Sequence, residues 1–90
     1  MKFFVYMVTC ADGTIYTGYT KDLLKRIEQH NTSKIGAKYT STRRPVKLSY
    51  VEILSSQKEA IKRELELKKF SRGMKLDLIQ EFRKNQFDEF

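Results

Sequence analysis

The chain is poor in the residues that cross-link proteins and cage metals. Cys10 is the one cysteine among 90 residues, so no internal disulfide or cysteine metal cluster can form. His30 is the one histidine, which excludes a multi-histidine zinc site. No apolar run approaches the roughly 20 residues a membrane span takes. The opening stretch, Met1 to Cys10, lacks a small-residue cleavage site, so no signal peptide is expected and the cytoplasm is the default address. There is no repeat and no low-complexity tract. Acid is scarce too: 11 Asp and Glu stand against 18 Lys and Arg, a net charge of +7. From Lys21 to Lys75 there are 15 basic residues and 6 acidic ones, while the ends are slightly acidic. A basic middle suits a polyanionic partner, most often nucleic acid. Solubility alone is the plainer explanation of such a charge.

What is present describes one soluble domain over residues 1–90, with 40% hydrophobic and 32% charged residues. Phe3 to Thr9 and Thr14 to Thr20 are β-branched and aromatic runs of strand length, joined by the turn signal Cys10-Ala11-Asp12-Gly13. From Lys21 the period becomes helical through Leu23, Leu24 and Ile27, with Thr20 available as a cap and Asn31-Thr32-Ser33 as the stop. Lys34 to Arg44 is polar, basic and aperiodic, so it reads as a loop. Pro45 blocks a helix, and Val46 to Leu54 resumes strand character. Ser56-Gln57-Lys58-Glu59 is a capping box opening a helix to about Phe70. Met74, Leu78, Ile79 and Phe82 define a last helix, with a frayed polar tail from about residue 84. The predicted class is α+β: a three-stranded antiparallel sheet flanked by helices, in the order β-β-α-β-α-α.

The hairpin admits two registers. A two-residue Asp12-Gly13 turn would pair Tyr16 with Thr9 and set Tyr6 and Tyr16 on opposite faces. A three-residue loop, Ala11-Asp12-Gly13, puts Gly13 at the left-handed position and pairs Val8 with Tyr16 and Tyr6 with Gly18. The second is preferred, because glycine then stands where only glycine is cheap. It also unites both tyrosines on one face, with Gly18 leaving a backbone gap opposite Tyr6.

Arg26 and His30, four residues apart, flank the buried stripe of the first helix. Taken alone, that pair also fits a histidine at a core margin with an arginine beside it. On the second long helix, the apolar arc runs through Ala60, Ile61, Leu65 and Leu67, and Glu64 falls inside it at about 100° per residue. A carboxylate there needs compensation. Lys68, one turn on, could supply it as an ordinary helix pair; the alternative is a divalent-metal ligand completed by water and phosphate. The segment Lys38-Tyr39-Thr40-Ser41-Thr42-Arg43-Arg44 combines cations, hydroxyls and a ring, as phosphate contact and base stacking require, or as a solvated basic loop also would.

Taken together, Tyr6 in Phe4-Val5-Tyr6, Tyr16-Thr17-Gly18, Arg26-x-x-x-His30, Lys38-Tyr39 and Ala60-x-x-x-Glu64 resemble the GIY-YIG nuclease superfamily, in particular its small stand-alone members. The likeness runs from about Phe3 to Ile79. It implies hydrolysis of phosphodiester bonds with one Mg²⁺ or Mn²⁺ ion, in nucleic acid and in DNA ahead of RNA. Carried over, Tyr16 would orient or deprotonate water, Tyr6 would shape the site, and Arg26 would stabilise phosphoryl charge. Glu64 would hold the metal, and His30 and Tyr39 would complete the polar shell. Lys25, Lys38, Arg43 and Arg44 are the expected nucleic-acid contacts. The chain departs from the family's pattern in lacking an asparagine between Arg72 and Leu76 and the first-motif glycine and isoleucine. A non-catalytic module binding nucleic acid through the same basic face is the alternative.

Overall fold

The computed structural model of the chain describes residues 2–32 and 38–88, without the side chains of Lys38, Tyr39 and residues 86–88. Its elements are β1 (Phe3–Cys10), β2 (Ile15–Thr20), α1 (Leu23–Thr32), α2 (Lys38–Ser41), β3 (Val46–Leu54), α3 (Gln57–Lys68) and α4 (Arg72–Asp88). The predicted order β-β-α-β-α-α stands, with α2 added as one helical turn in the segment read as loop. Ser33, read as part of the helix stop, and residues 34–37, read as loop, lie outside the described residues. Helix α4 runs on through the polar stretch after residue 84 to Asp88.

The sheet is antiparallel with spatial order β2-β1-β3. The hairpin takes the three-residue register: Tyr6 faces Gly18 and Val8 faces Tyr16. Gly13 has φ of 86°, and the Cys10 amide donates to the Thr14 carbonyl at 2.8 Å. Side chains alternate between two layers. Phe3, Val5 and Met7 of β1 pack with Tyr50, Ala60, Leu67 and Ile79 beneath α3 and α4. Tyr6, Val8 and Cys10 pack with Val46, Tyr16, Leu23 and Ile27 beneath α1.

β3 serves both layers because of a bulge. Met7 pairs with Tyr50 and Val8 with Leu48, which leaves Ser49 as the extra residue. Its hydroxyl fills the defect, donating to the Met7 carbonyl at 3.2 Å and accepting from Thr9 Oγ1 at 3.0 Å. Val46 therefore faces α1, while Tyr50 faces α4 and stacks edge-on against Phe82 at 5.4 Å.

Caps depart partly from the sequence reading. Asp22, not Thr20, caps α1: its carboxylate accepts the Lys25 amide at 3.1 Å, while Thr20 Oγ1 accepts the Asp22 amide. Ser56 caps α3 as expected, accepting the Glu59 amide at 3.2 Å. Glu59 itself turns to the Ser55 hydroxyl, so the box closes on one side only. The apolar stripes are narrower than read. Leu24 is 82% exposed, and Ile61 and Leu65 face outward, because a three-stranded sheet covers only the Ala60–Leu67 line of α3.

Candidate active site

The hairpin register brings the two tyrosines under the end of α1, where His30 enters between them. The Tyr6 and Tyr16 rings lie 6.5 Å apart, and His30 stands edge-on to them at 5.8 and 5.1 Å. Tyr6 Oη is 2.7 Å from His30 Nε2, and His30 Nδ1 is 2.7 Å from Thr40 Oγ1. Tyr6, His30 and Thr40 are buried; Tyr16 is half-buried. A buried polar chain of this kind holds its members in one arrangement only when each group is satisfied.

Electrostatics decide who holds the protons. Burial pushes the Tyr6 phenol up to about 12, against the opposing hydrogen bond and charge of Arg26. Burial also pulls His30 down to about 4, with the charges of Arg26 and Arg44 adding to it. At neutral pH Tyr6 is therefore protonated and His30 neutral. Arg26 can only donate to the phenol oxygen, so the phenolic proton points to His30 Nε2. His30 then carries its own proton on Nδ1 and donates it to Thr40.

Glu64 belongs to the same neighbourhood. Its side chain is 15% exposed, and its charge helps hold the Tyr6 proton in place. Lys68 Nζ sits 3.1 Å from its Oε1, so the helix pair considered from spacing is formed. A cation thus already occupies one side of this carboxylate. Among the described residues no three His, Cys, Asp or Glu side chains cluster as a metal cage. One hard oxygen donor of this kind fits Mg²⁺ or Mn²⁺ held mainly by water and phosphate, and does not fit zinc.

One expectation is corrected, and two arginines are engaged within the fold. The space opposite Tyr6 is not open: a Cβ on Gly18 would meet Tyr6 Oη at 2.7 Å and Cζ at 2.9 Å, so Gly18 makes room for the phenol itself. Arg43 does not reach out from its loop but pairs with Asp12 at 3.1 Å across the hairpin turn. Arg44 lies back on the end of α1, with Nε donating to the His30 carbonyl and Nη2 to that of Gln29. There its charge opposes the negative pole of the helix.

Arg26 is half-buried beside Tyr6, with Nη1 donating to Gln29 Oε1 at 3.1 Å, and Lys25 is exposed on α1. The side chains of Lys38 and Tyr39 lie outside the described ones. Thr40 and Asn31 were missed as contributors to the site's frame. Asn31 pairs with Val46 as a strand residue would, accepting its amide at 2.7 Å and donating to its carbonyl at 3.1 Å. Only the hydroxyl content of the loop hinted at Thr40; nothing in the local pattern marked Asn31.

Known proteins share this arrangement of elements. The GIY-YIG catalytic domain family matches residues 2–77. The UPF0213 protein SSP2268 of Staphylococcus saprophyticus is 55% identical over 80 residues, covering 89% of this chain and 96% of that protein. A UPF0213 protein of Staphylococcus epidermidis is 54% identical with the same coverage. Among solved structures, the solution NMR structure of the UPF0213 protein BH0048 of Bacillus halodurans aligns with TM-score 0.57 and 42% identity, covering 89% of this chain and 84% of that one. That of EF2693 from E. faecalis aligns with TM-score 0.62 and 36% identity, over 92% and 88%.

Proposed function

The chain belongs to the GIY-YIG family, a nuclease family, and from that premise we propose that it is a divalent-metal-dependent endonuclease hydrolysing phosphodiester bonds in DNA. The convergence of Tyr6, Tyr16, Arg26, His30 and Glu64 from four separate elements carries this reading.

Roles follow from burial and proton affinity. Tyr6 is a poor base, because a phenol at about 12 is ionised in roughly one molecule in 10⁵ at pH 7. It acts instead as a fixed hydrogen-bonding post. Tyr16, the half-buried phenol, is the group that can reach an attacking water. Arg26 supplies donors for charge growing on the phosphoryl oxygens. Neutral His30 holds Tyr6 from one side and, with Tyr39, would complete the polar shell. Glu64 would hold the metal. A bound divalent ion would supply Lewis-acid stabilisation of the phosphoryl group.

The test is cleavage of labelled duplex, single-stranded and branched DNA with Mg²⁺ or Mn²⁺. We expect products with either ion and none in EDTA. Tyr16→Phe and Glu64→Ala should each lower the rate at least about 100-fold while leaving the melting temperature within a few degrees. Wild-type turnover in either variant would remove that residue's role. The Glu64–Lys68 pair supports a second reading, a binding module whose carboxylate is already satisfied. Salt-sensitive binding without cutting under any metal would favour it.

A further inference from the structure

A second, cationic site lies on the other sheet layer from the tyrosines, where the hairpin meets the joint between α3 and α4. Thr14, Ile15, Phe70, Arg72 and Lys75 line a cavity of about 210 Å³ there. Arg72 is fixed by its Nη1, which donates to the Gly13 carbonyl at 2.9 Å. Lys75 is half-buried, and among the described residues no carboxylate pairs with it. Lys68 bears on it with like charge from the end of α3. Asp12, the acid closest in sequence to the hairpin end, is engaged by Arg43 and by the Thr14 amide and hydroxyl. Two cations thus converge on a hollow that no carboxylate lines among the described residues, and burial, with the like charge of Lys68, pulls the Lys75 ammonium below its ordinary proton affinity. Ile15 and Phe70 give the hollow an apolar wall suited to a sugar face.

Lys68 also connects the two sites, since it is the partner of Glu64. We infer that this cavity receives a backbone phosphate of duplex DNA flanking the scissile one, held by Arg72 and Lys75. The inference rests on the nuclease reading for the identity of its occupant. An anion there relieves the Lys68–Lys75 repulsion and fixes the register of the strand relative to Glu64.

The experiment measures binding of a short duplex in EDTA, where nothing is cut, from about 50 to 200 mM salt. The chains compared are wild type, Lys75→Gln, Arg72→Gln/Lys75→Gln and the control Arg83→Gln. Arg83 is exposed on α4, about 12 Å along the helix from Lys75. Loss of one phosphate contact should lower the slope of log K against log salt by about 0.9 in the double variant. Lys75→Gln should weaken low-salt binding several-fold with its melting temperature unchanged, and Arg83→Gln should do neither. Unchanged slope and affinity in both cavity variants overturn the site, as does an equal loss in Arg83→Gln. A protein that binds with the expected Lys75 dependence but never cuts keeps the cavity and overturns the nuclease. One that cuts, with binding indifferent to Lys75, does the reverse.

Discussion

Gly18 and His30 show how single residues set the chemistry. Any side chain at Gly18 strikes the Tyr6 phenol, and that phenol cannot yield without leaving His30 Nε2. Gly18→Ala should cost about 1–3 kcal/mol in thermal unfolding and reduce cleavage at temperatures where the variant is still folded. His30 makes stability depend on pH with a definite sign. Its folded value, about 4, lies below the ordinary 6.5, so between these values the unfolded chain binds the extra proton. Stability from this group is complete above about pH 6.5 and is lost as pH falls towards 4, up to roughly 3 kcal/mol. Melting curves across that window should show the fall in wild type and a smaller one in His30→Gln. The tyrosine pairing was legible because strand alternation and a left-handed glycine are local rules. Thr40 was not, because its bond to His30 spans ten residues of an aperiodic connection.

Elements are held in place by side chains that behave as backbone. Asn31 joins the end of α1 to the first residue of β3 with two hydrogen bonds, and Arg44 closes the carbonyls left open beside it. Asn31→Ala leaves the buried Val46 short of both partners and should lower stability by about 1–3 kcal/mol. At about 4–8 °C per kcal/mol this is readily measured by calorimetry. Helix positions were read well from capping and period, as Ser56 shows. Helix faces were read less well: a wheel reports which residues share a side, not how wide a sheet lies below. Hence Ala60 and Leu67 are covered while Ile61 and Leu65 are not. The internal partners of the loop arginines were not legible for a related reason. Composition announces charge, whereas Asp12 and the α1 carbonyls that engage it come from elsewhere in the chain.

At the scale of the whole molecule, the sheet divides the work. The layer under α3 and α4 supplies the larger apolar core, with the cationic cavity at its rim, and the layer under α1 carries the tyrosine–histidine chain. Ile79→Ala, on the first layer, should cost about 2–5 kcal/mol of stability yet leave activity per folded molecule unchanged, which titration of active sites against rate would check. The division depends on the extra residue in β3. Ser49 lets one strand present Val46 to one side and Tyr50 to the other. Were Ser49 instead drawn into the ladder opposite Val8, Leu48 and Val46 would turn from the α1 side to the other in a single step. The strand can change its letters far more easily than its register.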